Sequence, residues 1–182
     1  MRIISLLPSA TEIVFALGLG DSLVGVTHEC DYPPEALRRT RVTRSHIPSG
    51  ISSAEIDRAV SSTLTSTGTL YELDLAALRD LRPDLILTQR LCDVCAVSFD
   101  RVQEAVASLP GHPTVVNLEP HSLVDILGNV FTVGRATGAE AMSYQVVRNL
   151  QDRIEAVRRP AASANRRARV VFLEWVDPPY CG

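Results

Sequence analysis

Apolar residues along this chain come in short blocks separated by polar turns and amphipathic stretches. Residues 3–7 form a near-continuous apolar run that stops at Pro8, the pattern of a strand buried on both faces of a parallel sheet. Ser9 and Glu12 stand three apart as a capping box and predict a helix to about Leu17, closed by Gly18 and Gly20. Residues 23–27 read as a second strand, and after the loop "HECDYPPEA" Pro33 or Pro34 suits the first turn of a short helix. "RVT", residues 41–43, has the composition of a short strand. Ser52 and Glu55 form another capping box, opening a helix over "SAEIDRAVSS", after which "SSTLTSTGT" reads as a loop.

The second half repeats the cycle. Leu75, Leu78 and Leu81 share a helical face that Pro83 ends, and "DLILTQ", residues 84–89, is a strand. Phe99, Val102, Val106 and Leu109 space a helix, residues 114–118 form a strand, and "SLVDILGNVFTVGRATG" is the helix after it. A long helix over residues 139–158 carries Val146, Leu150, Ile154 and Val157 on one side. One last strand, "RVVFLEWV", precedes "DPPYCG". Strand, loop and helix alternate throughout, so the expected class is α/β, a parallel-sheet Rossmann-like lobe with helices on both faces. The final strand has no helix behind it; it either returns to the first sheet or begins a second lobe.

At 182 residues, 46% hydrophobic and 21% charged, the chain can bury a full core and does not have the composition of a disordered one. A net charge of -3 argues against a nucleic-acid partner. The arginine runs "RRTR" and "RRPAASANRRAR" also lack the interleaved aromatic residues that stack on bases. All eighteen basic residues are arginine, which excludes a Schiff-base lysine and the lysine of a Walker A loop. There is no G-x-S-x-G and no H-E-x-x-H, and the G-x-G of "GLGDSLVG" follows a helix instead of a strand, so no catalytic residues are predicted. No segment reaches the ~18 apolar residues of a membrane span. Pro8, Ser9, Thr11 and Glu12 interrupt the opening apolar run, which therefore does not read as a signal peptide. As it stands the sequence suggests the cytoplasm, where free thiols persist.

Right-handed crossovers send every strand-to-helix loop to the edge formed by the strands' carboxyl ends. The expected loops are residues 8–11, 28–31, 89–95 and 119–121, which bring Pro8, Ser9, His28, Glu29, Cys30, Asp31, Gln89, Cys92 and Cys95 to one side. The C-x-x-C of "LCDVCAVS" has three readings there. It is a redox pair; or part of a zinc site with His28, Cys30, Cys92 and Cys95 as ligands; or a pair of small soft side chains packing a loop or lining a pocket, the reading a lone C-x-x-C favours. Glu29 and Asp31 read as a solvated turn, and His46, His112 and His121 as surface histidines.

"RIISLLPSATEIVFALGLGDSLVGVTHECDYPPEA", residues 2–36, resembles the opening of the class III periplasmic binding proteins of ABC importers, in particular the cobalamin-binding branch. "LRDLRPDLILTQ" is similar to that family's next helix and strand, and "RVVFLEWVDPPYCG" to the first strand and loop of its second lobe; "LCDVCAVS" looks like a feature of a leaderless subgroup. The resemblance implies residues 1–138 as an N-terminal lobe, 139–160 as the inter-lobe helix and 161–182 as the start of a C-terminal lobe whose greater part lies outside this chain. It implies a non-enzymatic solute-binding protein for a corrinoid such as cobalamin, or a related metal chelate, with an ABC permease as partner and no required cofactor. Family members usually work in the periplasm or at the cell surface. The implied ligand-facing positions are Pro8, Ser9, His28, Glu29, Cys30 and Asp31, with Trp175 and Tyr180 from the second lobe. Two positions depart from the family's pattern: Glu29 stands where the cobalamin binder has an aromatic residue, and Ala76 where an acidic residue meets permease arginines. The alternative is a cytosolic metal-binding or redox protein using Cys30, Cys92, Cys95 and His28, with zinc as the expected ion.

Overall fold

Ile3 and Ile4 are neighbours, both fully buried, and belong to different cores. A computed structural model, describing residues 1–90, 97–163, 166 and 168–181, shows why. In chain order its elements are β1 (Ile3–Ser5), α1 (Pro8–Ala16), β2 (Leu23–Val26), β3 (Thr40–Arg41), β4 (Thr43–Ser45), α2 (Ser53–Thr67), β5 (Tyr71–Leu73), α3 (Leu75–Leu81), β6 (Leu85–Thr88), α4 (Phe99–Ala107), β7 (Thr114–Asn117), α5 (Leu123–Thr137), α6 (Glu140–Ala162), β8 (Leu173–Val176) and β9 (Pro179–Cys181). Short 3-10 turns at Gly20–Ser22 and Pro34–Arg38 complete the list.

Five strands form a parallel sheet in the order β3-β2-β1-β6-β7, with Ile3 opposite Leu85 and Ser5 opposite Leu87. Alternate residues face opposite sides. Ile3, Leu85 and Leu87 pack with Val14 of α1, Val130 and Val133 of α5 and Val147 of α6. Ile4 and Ile86 pack on the other side with Leu78 of α3 and Val102 and Ala105 of α4. Each fully buried aliphatic side chain contributes roughly 1.5–3 kcal/mol, so the central strands must be apolar on both faces. The α/β class with helices on both faces is thus the observed one. No helix among the described residues is long and apolar enough to cross a membrane.

The order has a direct consequence for function. The chain leaves β1 into α1 on one face and leaves β6, its neighbour, toward α4 on the other, so the two strand ends diverge. Such a switch point opens a crevice at the carboxyl edge.

Several local expectations change. The Ser9/Glu12 capping box does not form: α1 starts at Pro8, with Leu7 as its N-cap and the Thr11 N–H bonded to the Leu7 carbonyl at 3.2 Å. Proline is suited to a first helical position because its φ is preset and its missing N–H is not needed there. The expected loop "SSTLTSTGT" is mostly helix, since α2 runs to Thr67 and closes at Gly68, which takes φ +70°. Its hydroxyls turn back onto the helix, Thr65 to the Ser61 carbonyl at 2.8 Å and Ser66 to that of Ser62 at 2.9 Å. "RVT" is split between β3 and β4, and β4 pairs antiparallel with β5, a strand that lies where no element was expected. The helix predicted to end at Arg158 continues through Pro160 to Ala162, with the proline in its last turn. "RVVFLEWV" yields only β8, which pairs with β9 as a separate hairpin and not with the main sheet.

Between α5 and α6 the chain turns at Gly138, φ +73°, and the two helices meet closely. A Cβ on Gly134 would overlap the Ser143 hydroxyl, which itself donates to the Val130 carbonyl at 3.2 Å. Glycine is required there by proximity.

Candidate ligand-binding site

The loop after β2 is the most constrained part of the carboxyl edge. Arg41, on the neighbouring β3, donates from one guanidinium nitrogen to the carbonyls of Thr27 and Cys30, each at 2.6 Å. The Thr27 hydroxyl accepts the Glu29 N–H at 3.2 Å. The Cys30 thiol points inward with no exposed surface, 3.1 Å from the hydroxyls of both Thr11 and Thr27. It belongs to the core on the α1 face.

His28 turns the other way. Its ring packs beside Tyr71 of β5, with centroids 5.3 Å apart and planes at 39°. The Thr43 hydroxyl oxygen accepts the His28 backbone N–H at 3.0 Å and lies 2.7 Å from Nδ1. Nε2 is buried, 3.2 Å from Glu29 Oε1. Burial is the largest influence on this imidazole and pushes its pKa below 6.5; Glu29 pulls it back up, and Arg41 adds to the lowering.

Leu6, Pro8, Thr27, Glu29, Thr43, Tyr71 and Val97 enclose His28 in a niche of about 20 Å³. That is room for one water at most. Pro8 and Glu29, beside this niche, are exposed. Ser9 and Asp31 are exposed as well, Ser9 in the first turn of α1, and Gln89 is half-buried just past β6. Cys92 and Cys95 lie outside the described residues. His28 and Cys30 face opposite sides of the loop, and among the described residues no group of three or more His, Cys, Asp or Glu side chains could hold a metal ion. At the next edge loop, Ser122 accepts the Asp125 N–H at 3.2 Å and caps α5. The Ser122 hydroxyl bond and the His121 N–H hold the exposed Asp125 carboxyl below its usual range.

The chain matches the periplasmic binding protein family over residues 3–182. It belongs to that family. A substrate-binding lipoprotein of an ABC transporter from Bacillus subtilis, YvrC, is 25% identical over 179 residues, 98% of this chain and 48% of the relative. A vitamin B12-binding protein from Pectobacterium carotovorum is 25% identical over 180 residues, 98% of this chain and 53% of the relative. One from Vibrio cholerae reaches 63% identity over 41 residues, 22% of this chain and 15% of the relative. Among solved structures, the vitamin B12-binding protein BtuF of Vibrio cholerae superposes with a TM-score of 0.68 at 24% identity, covering 98% of this chain and 57% of that one. The haem-binding protein RhuT from Roseiflexus gives 0.68 at 23% identity, covering 94% and 54%. The chain thus spans about half the length of the curated relatives it matches end to end.

The family is one of binding proteins, not enzymes. The contacts that hold the loop after β2 escaped the sequence. Arg41, Thr43 and Tyr71 carry no motif, and they reach the His28 loop only through the pairing of β3 with β2 and of β4 with β5. Trp175 and Tyr180 lie on the β8–β9 hairpin. The Trp175 indole N–H donates within it to the Asp177 carbonyl at 3.0 Å, whereas the Tyr180 hydroxyl reaches Asp57 of α2 at 3.3 Å. The Asp57 charge raises the Tyr180 pKa.

Proposed function

We propose that this chain is a solute-binding component of an ABC-type uptake system and that its ligand is a corrinoid or a related metal chelate, lying across the carboxyl edge of the sheet. The observation that carries the reading is the rigid, exposed platform of Pro8, Ser9 and Glu29, braced from below by the His28–Thr43–Tyr71 contacts and by Arg41. A large disc with an apolar face and amide fringes needs a broad surface held in place before it arrives, because ordering the surface on binding would cost affinity. Family membership and the 41-residue match to a vitamin B12-binding protein support the ligand class. In this reading residues 1–138 are one lobe, residues 139–160 the helix leading from it, and residues 161–182 the start of a second lobe bringing Trp175 and Tyr180 to the ligand. The protein then works outside the cytoplasmic membrane with a permease as partner.

Equilibrium dialysis against cyanocobalamin, with haemin in parallel, tests the proposal. Saturable binding of either at micromolar concentration is the expected result. Absence of binding by both up to about 1 mM, an affinity weaker than about −4 kcal/mol, would count against it. The metal-binding or redox alternative is weakened by the inward Cys30 thiol and by the opposite orientation of His28.

A further inference from the structure

Resting on that reading, we infer that Arg90 selects for metal chelates carrying a peripheral anionic group, by docking phosphate or carboxylate oxygens where β1 and β6 diverge. Arg90 lies two residues beyond β6, and its guanidinium stacks over the Phe99 ring, 5.5 Å from the centroid. Phe99 is the half-buried first residue of α4, so the stack anchors an exposed side chain to the fold.

Several other arginines have a carboxylate or carbonyl partner, although Arg39 Nε stays without one among the described residues. Arg39 pairs with Asp21 at 3.5 Å, Arg44 with Asp74 at 3.7 Å, Arg159 with Glu155 at 3.0 Å, and Arg41 holds backbone carbonyls. Arg90 makes no ion pair among the described residues, and its fork of N–H donors stays free. A stacked guanidinium keeps that fork while losing much of its rotational freedom, which favours two parallel bonds to one phosphate or carboxylate.

Independent polar groups wait in the same corner. Thr88 and Asn117, the last residues of β6 and β7, stand opposite each other in register. Thr88 Oγ1 and Asn117 Oδ1 are buried and have no hydrogen-bond partner among the described residues. Strand alternation puts both on the face of Ile86 and Val115, the α4 side. Ser98, the N-cap of α4, makes no side-chain capping bond, so the helix brings free N–H groups and positive polarity to that side. Buried unpaired oxygens are costly, and a water between them and an anion held by Arg90 relieves the cost.

Dialysis of the whole chain against three probes tests the inference. Cyanocobalamin carries a phosphodiester, dicyanocobinamide is the same ring system without it, and haemin carries two propionates. Arg90→Gln is expected to weaken binding of an anion-bearing probe about tenfold while leaving dicyanocobinamide unchanged. A loss confined to cyanocobalamin assigns phosphate as the source, and one confined to haemin assigns carboxylate. Arg90→Lys, which keeps the charge but not the fork, should recover only part of the loss. An equal loss for all three probes, or none for any, overturns the inference. Should no probe bind the unaltered chain, the solute-binding proposal fails by itself, and inorganic pyrophosphate decides the question of Arg90. The Arg90 Nε–H NMR signal should then shift saturably while that of the exposed Arg148 does not, and a flat response at Arg90 overturns the inference.

Discussion

Arg41 is bound to the carbonyl of Cys30 at 2.6 Å, and with its second bond to Thr27 it closes the loop that presents Glu29. Replacing Arg41 by Met leaves two carbonyls without their charged donor, which costs about 1–3 kcal/mol. Urea unfolding should register that loss as a lower midpoint. Corrinoid affinity should fall as well, because the platform must then be ordered by the ligand. Unaltered affinity in a folded Arg41→Met chain would show that the loop's rigidity is irrelevant to binding.

The buried His28 ring predicts how stability depends on pH. Its folded pKa lies below 6.5, so on acidification the unfolded chain takes up a proton before the folded chain does. The contribution to stability is therefore whole above 6.5 and is lost progressively as pH falls from 6.5 toward the folded value. Urea titrations at about pH 7.5 and about pH 5.5 should show a drop for the unaltered chain and a smaller drop for His28→Gln. Equal drops would mean that His28 is not the group responsible.

What could be read from the residues alone divides along physical lines. The blocks containing Ile3 and Leu85 were legible because a strand buried on both faces must be apolar throughout. The gathering of the 8–11 and 28–31 loops followed from the handedness of parallel crossovers. Tyr71–Leu73 was not legible: it is three residues long and gains its identity from β4, with Thr43 opposite Leu73 and Ser45 opposite Tyr71, partners far away in the sequence. The far half of α2 was hidden by its serines and threonines, whose hydroxyls bond to their own helix only once the helix exists. Cys30 and His28 sit two apart, and spacing alone could not say that one enters the core while the other meets Tyr71.

Gly134 sets how closely α5 approaches α6. In Gly134→Ala the new methyl meets the Ser143 hydroxyl and comes within 3.3 Å of the Ala139 carbonyl. Overpacking of this kind costs about 1–3 kcal/mol. Ser143→Ala removes the oxygen that the methyl strikes, so the double variant should be more stable than the sum of the two single losses implies. A thermal-melt cycle over the four proteins measures the coupling, and strict additivity would remove the contact from the account of this elbow.

Thiol reactivity separates a core cysteine from a ligand. Cys30 has no exposed surface and is flanked by two hydroxyls, whereas Cys181 is exposed on the β8–β9 hairpin. Reaction requires a thiolate that a reagent can reach, and Cys30 offers neither access nor, among the described residues, a nearby metal-ligand set. Iodoacetamide labelling read by site-resolved mass spectrometry should therefore modify Cys181 promptly and Cys30 only after denaturation. Protection of Cys30 should also be indifferent to chelators, because its burial comes from Thr11, Thr27 and the core around Val14. Prompt labelling of Cys30, or labelling that appears only after a chelator is added, would return the thiol to the surface chemistry of the metal-binding alternative and weaken the solute-binding one.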